Sequence, residues 1–421
     1  MTSPKSSPKK AYNQAREHRG RSRSETKSSS VTERVQSVPR RDYNKLALAL
    51  HKKMHGKLEI KSKGALKTID DWSTMYTPGV GAVSLHLSKK PQDAREYTIK
   101  RNTVAVVSDG SAVLGLGNLG PLGALPVMEG KCAIFKEMAN VDAFPIVLDT
   151  QDPEEVIRVV KAIAPGFGGI NLEDISAPNC FYIENRLKAE LSIPVMHDDQ
   201  HGTAIVVTAG LINAAKVVKK KFETLKVVIV GAGAAGRAIA LLLMKAGITD
   251  VIVTDSKGTL VVGRQALDGY KRELAQMTNP RKVEGDLMQA VEGADVIVGV
   301  SGPGSIAPAH IEKMASQGVV FALANPIPEI MPTDAKRAGA SIVATGRSDF
   351  PNQVNNSLAF PGIFRGALDN AVTEITDDMK LEAAKKIASL IKKPTADMVI
   401  PSVMTPNLVK TVASVIRSKK K

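Results

Sequence analysis

The chain has 421 residues, 43% of them hydrophobic and 24% charged, and a formal net charge of +15. This length exceeds one typical domain, so two domains with sizeable cores are expected. The sequence contains no apolar run of about 18 residues, which argues against a membrane-spanning helix and any membrane partner.

The N-terminal region lacks the apolar segment of a secretory signal. Cys132 and Cys180 are the only cysteines. Two thiols cannot make a disulfide framework, so we expect a reducing, cytoplasmic setting.

Much of the positive charge lies at the N-terminus, where residues 1–45 carry twelve Lys or Arg against four Asp or Glu. This segment is rich in Ser, Pro, Lys and Arg, which predicts a disordered basic tail over residues 1–42. A solvated tail without catalytic role is the favoured interpretation. Contact with nucleic acid or an acidic partner, and a transit peptide, are the less favoured alternatives.

From Tyr43 onward the pattern is that of a globular protein. A first helix should end at Gly56, and residues 71–83 should form a loop because Pro and Gly interrupt them. After that, short β-branched runs alternate with helix-length segments. The fold class is therefore α/β, with two open parallel sheets, the second of them a doubly wound sheet of the Rossmann type.

A glycine motif in KVVIVGAGAAG predicts dinucleotide binding. Gly231, Gly233 and Gly236 follow an apolar strand and open a helix, and the next strand ends in Asp255. Such a turn lets the pyrophosphate approach the helix N-terminus, while the acid binds the adenosine ribose. The alternative is a tight strand-to-helix turn without a ligand.

A second glycine pattern, LGLGNLGPLG, contains Gly115, Gly117 and Gly120. Pro121 and Gly123 predict a poor helix after it, and no acid-ended strand follows at the right distance. By itself this segment predicts a flexible glycine loop. Contact with a ligand and the absence of such contact are both compatible with it.

Two acid pairs follow neighbouring strands. Glu173 and Asp174 end the first, and Asp198 and Asp199 end the next, with a helix between them. Strands of a right-handed βαβ unit end at the same sheet edge, so the pairs can converge. Clustered carboxylates without thiolates favour Mg²⁺ or Mn²⁺. The alternative for each pair is a helix N-cap.

Two histidines flank the second acid pair. His197 and His201 stand on either side of it in HDDQHGTA. We interpret both as structural groups or as supports for ligands, and not as metal ligands themselves.

Eight segments in this order resemble the malic enzyme family, and in particular its short, prokaryote-type branch. They are YTPGV (76–80), DGSAVLGLGNLG (109–120), MEGKCAIFK (128–136), NLEDISAP (171–178), HDDQHGTA (197–204), VGAGAAG (230–236), LANPIPE (323–329) and NNSLAFPGIFRGAL (355–368). The resemblance implies an N-terminal malic enzyme domain over residues 43–196 and an NAD(P)-binding domain over residues 197–421.

The reaction implied by this resemblance converts (S)-malate and NAD⁺ or NADP⁺ to pyruvate, CO₂ and the reduced cofactor. Lys131 would be the base for the malate hydroxyl, Asp198 would order Lys131, and Tyr76 would protonate the enolate of pyruvate. A lysine acts as a base only if it is neutral part of the time.

The resemblance also implies the ligands of metal, cofactor and substrate. Glu173, Asp174 and Asp199 would hold Mg²⁺ or Mn²⁺, which stabilises the enolate as a Lewis acid. Asn325 and Asn356 would contact malate, and Asn325 also the nicotinamide riboside. The remaining cofactor contacts implied are Gly115, Gly117, Gly120, Gly231, Ala232, Gly233, Gly236 and Asp255.

One departure affects substrate recognition, because residues 111–113 stand where larger family members have an arginine.

The sequence contains features that favour NAD and others that favour NADP. Asp255 should repel a 2′-phosphate and favours NAD slightly, whereas Ser256, Lys257 and Arg264 could accept that phosphate.

Family habit suggests a homodimer or a larger homo-oligomer. Two other functions stay open: a different Rossmann-type oxidoreductase acting on a small carboxylic or amino acid, and a separate binding role of the basic tail.

Overall fold

The computed structural model describes residues 42–418. Helix α1 (Tyr43–Met54) lies in a first compact unit that ends at Lys53, and the chain from Met54 onward forms a second. The expected helix end near Gly56 is confirmed, since His55 and Gly56 both have positive φ angles, 54° and 112°. The tail interpretation falls on residues outside those described. Between residues 42 and 418, no helix has the length and apolarity that a membrane crossing requires.

The loop predicted over residues 71–83 is wrong. This part of the chain forms helices α2 (Ile69–Met75) and α3 (Val80–Lys89), followed by the short α4 (Ala94–Tyr97). Thr68 and Asp71 form a reciprocal capping box that starts α2, and such a box satisfies two free backbone N–H groups. Pro78 therefore separates two helices and does not prevent them.

The first sheet has four parallel strands in the order β2-β1-β3-β4. The strands are β1 (Thr103–Ser108), β2 (Asp142–Val147), β3 (Gly169–Leu172) and β4 (Val195–His197). The connecting helices are α5 (Gly120–Ala139), α6 (Pro153–Ile163) and α7 (Asn179–Glu190). The chain reverses direction across the sheet between β1 and β3, so a crevice opens beyond their carboxyl ends.

The expectation of a poor helix after the second glycine pattern is also wrong. Helix α5 begins at Gly120, and Pro121 lies in its first turn. A proline is tolerated there because the first N–H groups of a helix have no intrahelical partner. Pro126 lies inside α5, so the helix runs for twenty residues despite both prolines.

The second sheet has six strands in the order β10-β9-β8-β5-β6-β7. The strands are β5 (Lys226–Val230), β6 (Asp250–Asp255), β7 (Gly258–Thr259), β8 (Val296–Gly299), β9 (Val319–Ala322) and β10 (Ile342–Thr345). All pairs are parallel except β6 with the two-residue edge strand β7. The α/β class and the doubly wound second sheet are confirmed, with β7 as an unpredicted antiparallel edge.

The helices of this second half cover both faces of its sheet and complete the C-terminal part. They are α8 (Asp198–Val217), α9 (Ala234–Lys245), α10 (Gly269–Met277), α11 (Leu287–Val291), α12 (Pro308–Glu312), α13 (Pro332–Arg337), α14 (Phe360–Asp369), α15 (Asp377–Ser389) and α16 (Leu408–Ala413). Short 3-10 helices occur at Pro91–Asp93, Ile99–Arg101, Ala164–Gly166, Phe222–Thr224 and Asn356–Leu358.

One hydrophobic core extends from the first sheet into the second. Phe135 on α5 packs edge-to-face against Phe360 and Phe364 of α14, with ring centroids 4.7 and 5.5 Å apart. Helix α8 lies in the same core, and fourteen of its twenty residues are buried. It starts at the edge of the first sheet and packs against α9 and α15, so it fixes the edge of one sheet relative to the other.

We expect Gly236→Ala to destabilise the protein. A Cβ at this position would lie 1.8 Å from the Gly231 carbonyl oxygen, an overlap that typically costs about 2–3 kcal/mol. Gly269→Ala is the control, because its Cβ would meet open space at the start of α10. Urea unfolding should show a lower midpoint for Gly236→Ala only, and equal midpoints would contradict the packing role of Gly236.

Candidate active site

The two acid pairs meet at the carboxyl edge of the first sheet. Glu173 and Asp174 follow β3, whereas Asp198 and Asp199 are the first two residues of α8. The backbone N–H of Asp174 donates to Asp199 Oδ2 at 2.8 Å. The N-cap of α8 is His197, which makes no side-chain cap, so capping does not explain the second pair.

Lys131 projects from α5 into this group of acids. Its Nζ donates to Asp198 Oδ2 at 2.5 Å and to Glu173 Oε1. The residue is only 7% exposed, and its ammonium lies 4.6 Å from the centroid of the Phe360 ring. Burial would lower the pKa of Lys131, but Asp198 and Glu173 outweigh it and raise the pKa above the usual range. The lysine is therefore protonated in this arrangement.

Three of the acids are held in a state that disfavours their negative charge. Burial, followed by repulsion from Asp199, raises the pKa of Glu173 well above its usual value and that of Asp174 to about 7. Burial also raises the pKa of Asp198 to about 6, although Lys131 acts against it. Carboxyl groups crowded in this way gain from any added positive charge.

Asp174 is set in an unusual backbone position with a free oxygen. Its φ is 53°, and its Oδ1 accepts from the N–H of Leu114 at 3.2 Å, while its carbonyl accepts from Ala112. Within the described part of the chain, the buried Oδ2 has no hydrogen-bond partner. One ligand oxygen from each of Glu173, Asp174 and Asp199 lies within 4.8 Å of the others. An unpartnered buried oxygen beside two more carboxylates fits a hard divalent cation.

The two histidines lie behind the acids. His197 is fully buried, with Nδ1 3.8 Å from Asp199 Oδ2, and burial lowers its pKa. His201 contacts the carboxylate of Glu184 at 2.9 Å. Neither belongs to the group of three acids whose oxygens converge.

Other residues predicted for the site are distributed unevenly around it. Asn356 lies close enough to Asp198 to oppose the rise in the pKa of that carboxyl. Gly115 lies against Asn325, because a Cβ on Gly115 would be 1.8 Å from the Asn325 carbonyl oxygen. Tyr76 follows α2 and is 63% exposed. The described contacts do not join its side chain to Lys131 or the acids.

The glycines of the first loop differ from each other in what they permit. Gly117 and Gly120 have positive φ angles of 87° and 69° with open space around them. They are therefore needed for the backbone turn and not for a close contact.

The three glycines after β5 have three different surroundings. Gly231 has φ 121° and faces the Val300 carbonyl, and Gly236 packs on Gly231. Gly233, the N-cap of α9, faces open space, and Ala232 lies between the two turn glycines. Gly233 therefore leaves the helix N-terminus accessible to a pyrophosphate.

Asp255 ends β6 and is clamped by two cations. Its Oδ2 accepts from Arg264 Nη2 at 2.5 Å and from Lys271 Nζ at 3.0 Å. Its Oδ1 accepts from the backbone N–H of Lys257. Burial opposes ionisation, but the hydrogen bond from Arg264 helps to lower the pKa of Asp255 to about 2. The carboxylate is ionised and oriented at the strand end.

Two polar residues of the site were missed from the sequence. Asn171 lies on β3, is fully buried and donates to Glu173 Oε2 at 3.0 Å. Glu184 lies on α7, is 2% exposed and accepts from the N–H of His197 at 3.0 Å. The polar residue inside the GGINLED strand was a signal for Asn171. Nothing in the helical pattern of α7 distinguishes Glu184 from a surface acid.

A doubly wound sheet with a glycine turn after its first strand, beside a buried lysine and carboxylate cluster, is the arrangement expected of a nucleotide-dependent oxidoreductase. Comparison with known families sharpens this class. Residues 55–188 match the family described as malic enzyme, N-terminal domain, and residues 200–418 match the malic enzyme, NAD binding domain. The chain belongs to the malic enzyme family.

Individual malic enzymes are similar in sequence to this chain over most of their own length. The NAD-dependent malic enzyme of Geobacillus stearothermophilus is 55% identical over 86% of this chain and 76% of its own. The bifunctional malic/malolactic enzyme of Bacillus subtilis (strain 168) is 52% identical over 88% and 91%. The crystal structure of the NAD-dependent malic enzyme of Thermotoga maritima is 48% identical, with a TM-score of 0.86 over 88% of this chain and 98% of that one.

We expect Lys131→Met to destabilise the protein in a pH-dependent way. Removing one partner of a buried ion pair typically costs about 3 kcal/mol, because buried charges are left uncompensated. Without Lys131 the pKa values of Asp198 and Glu173 rise further, so both acids take up protons as the pH falls and the penalty shrinks.

The check is urea unfolding of wild type and Lys131→Met at about pH 5.5 and about pH 8. The loss of stability should be larger at the higher pH. Adding Asp198→Asn to the variant should restore part of it, since one buried charge is removed. An equal loss at both pH values would show that lost packing, and not charge, is responsible.

Proposed function

We propose that this chain catalyses the oxidative decarboxylation of (S)-malate to pyruvate and CO₂, with reduction of NAD⁺ or NADP⁺. The observation that carries the proposal is the buried Lys131 ammonium between Asp198 and Glu173, at the same sheet edge as the acids Asp174 and Asp199. The names of its relatives, NAD-dependent and NADP-dependent malic enzymes, support the same reaction.

A divalent cation, Mg²⁺ or Mn²⁺, is part of the proposal. Glu173, Asp174 and Asp199 would hold it, and the unpartnered Asp174 Oδ2 and the raised pKa values of Glu173 and Asp174 support this ligand set. When bound, such an ion supplies Lewis-acid stabilisation for the enolate oxygen. All-oxygen ligands suit these hard ions better than softer metals.

Lys131 is the proposed base for the first step. Its Nζ would take the proton of the malate C2 hydroxyl. The nicotinamide cofactor, when bound, would supply the acceptor for the C2 hydride, so that malate becomes oxaloacetate and the cofactor is reduced. The Asp198 carboxylate orients the amine through the 2.5 Å contact. Because both neighbouring acids keep Lys131 protonated, substrate and cofactor binding must favour its neutral form before it can accept a proton.

Decarboxylation and protonation follow. The C3–C4 bond breaks, CO₂ leaves, and its electron pair forms the enolate of pyruvate, which needs one proton at C3. We propose Tyr76 as the donor. Its 63% exposure means that the bound substrate or another subunit must shield the tyrosine before it can act in a water-excluded site. Asn325, in the loop after β9, and Asn356, at the start of a 3-10 helix, are proposed to hydrogen-bond the substrate.

The decisive test is malate-dependent reduction of NAD⁺ and NADP⁺ with and without Mn²⁺. We expect Lys131→Ala to lower kcat at least about 100-fold, because the base is lost. Asp199→Asn should abolish the dependence on Mn²⁺ together with most of the activity. Lys136→Ala is the matched control, since Lys136 is an exposed lysine on the same helix. Full activity in chelator or in Lys131→Ala would refute the mechanism.

NAD is the preferred cofactor in this proposal, supported by the ionised Asp255 at the end of β6. Asp255→Asn removes the repulsion of a 2′-phosphate and leaves Arg264 and Lys271 free to bind it. We expect the ratio of kcat/KM for NAD over NADP to fall at least about tenfold, roughly 1.4 kcal/mol. Asp250→Asn, at the opposite end of the same strand and paired with Arg281, should leave the ratio unchanged.

We propose a homodimer or larger assembly, supported by the apolar side chains that α2 and α3 expose. Trp72, Met75 and Leu85 are 53%, 46% and 65% exposed, an apolar content that favours contact with another chain. A cytoplasmic location is supported by the two buried free thiols, Cys132 and Cys180.

Trp72 offers a direct check of assembly, because it is the only tryptophan in the chain. Dilution should shift its emission to longer wavelength as the interface opens and the indole becomes hydrated. Sedimentation velocity over the same concentrations should show the mass falling in parallel. A monomer at every concentration would contradict the assembly.

A further inference from the structure

The start of α8 is held by a carboxylate from another helix. Glu184 on α7 is 2% exposed and accepts from the backbone N–H of His197 at 3.0 Å and from Gln200 Nε2 at 3.2 Å. His197 makes no cap of its own. Glu184 thus performs from outside the helix what an N-cap side chain normally does, which is to satisfy a free N–H group and place negative charge at the helix N-terminus.

The same carboxylate is tied to two further groups. His201, one turn into α8, lies 2.9 Å from it, and Lys188 Nζ lies 2.7 Å from Oε1. The other ring nitrogen of His201, Nδ1, lies 3.1 Å from Lys380 Nζ on α15. A lysine ammonium can only donate, so Nδ1 accepts from Lys380 and Nε2–H donates to Glu184. Glu184, His201 and Lys380 are therefore joined by consecutive hydrogen bonds from α7 through α8 to α15.

The contacts of Glu184 lie on either side of the two acids at the start of α8. Between His197 and His201 lie Asp198, which contacts Lys131, and Asp199, which contacts the N–H of Asp174. Glu184 therefore contacts the chain on both sides of the two acids, through the backbone N–H of His197 before them and the side chains of Gln200 and His201 after them. A shift of this turn would move both acids relative to Lys131 and Glu173.

We infer that Glu184 is a positioning residue, which sets the orientation of Asp198 and Asp199 through the His197 amide and the His201 ring. Its carboxylate is bonded to His197, Gln200, His201 and Lys188, which are all groups of the protein itself. The inference rests on the proposed function, since it assigns Asp199 to the metal and Asp198 to the base. Lys188 balances the charge of Glu184, and Lys380 fixes the tautomer and orientation of His201.

The test uses Glu184→Gln, which keeps the size of the side chain but loses its charge and one acceptor. The first readout is the Mn²⁺ dissociation constant of the full chain without substrate or cofactor, from the electron paramagnetic resonance signal of free Mn²⁺. The second is kcat and KM at saturating Mn²⁺, and the third is the thermal midpoint. Glu190→Gln is the matched control, because Glu190 is on the same helix and pairs with Lys161 and Arg186 away from α8.

We expect Glu184→Gln to weaken Mn²⁺ binding and lower kcat by about tenfold each, the usual size for groups that orient metal ligands. KM for NAD should stay within twofold of wild type, and Glu190→Gln should match wild type in all readouts. His201→Gln keeps a donor toward Glu184 and should retain most of the Mn²⁺ affinity, whereas His201→Leu should lose it.

The positioning role is overturned if folded Glu184→Gln binds Mn²⁺ and turns over malate within twofold of wild type. It is also overturned if stability alone falls, or if His201→Gln and His201→Leu behave alike. Should Glu184→Gln not fold, the two His201 variants decide. A wild-type protein that neither binds Mn²⁺ nor oxidises malate would instead contradict the proposed function, and the inference would fall with it.

Discussion

The site depends on one buried cation among carboxylates. Lys131 is held by Asp198 and Glu173 in a place from which water is largely excluded. Such a group of acids could not be buried together without a positive charge beside them, because desolvation and mutual repulsion both act against ionisation. The ammonium of Lys131 thus allows Asp198 and Glu173 to be buried within hydrogen-bond distance of its Nζ.

Three separate stretches of chain supply these charges. β3 brings Glu173 and Asp174, the junction of β4 and α8 brings Asp198 and Asp199, and α5 brings Lys131. Behind these acids, on the side of α7, Glu184 receives four donors. The proposed catalytic geometry therefore rests on two layers of polar groups: the acids with Lys131, and Glu184 with its donors behind them.

Much of this was readable from the sequence, for identifiable reasons. The Gly231 motif and the acids after β3 and β4 can be predicted from the sequence, because glycine turns and strand-end carboxylates occupy fixed places in parallel α/β folds. Lys131 and Tyr76 could be chosen only by family resemblance, since an isolated lysine or tyrosine carries no pattern.

The errors have physical causes as well. The prolines and glycines of residues 71–83, and Pro121, predict an interrupted chain. A capping box in the first case and a first-turn position in the second make both segments compatible with helix. The burial of Glu184 cannot be predicted from the sequence, because a buried acid on a helix has the same sequence pattern as an exposed one. Its burial depends on α8 and α15 arriving from more distant parts of the chain.

Helix α8 has a consequence for any attempt to divide the protein. The two family regions meet between residues 188 and 200, yet the helix that begins there at Asp198 carries acids of one half and packs in the core of the other. A cut at this border would leave the first half without Asp198 and Asp199. It would also strip the β4 edge of its cover and expose apolar surface on both fragments. The border between the two family regions is therefore not a position at which the protein divides into two independently packed halves.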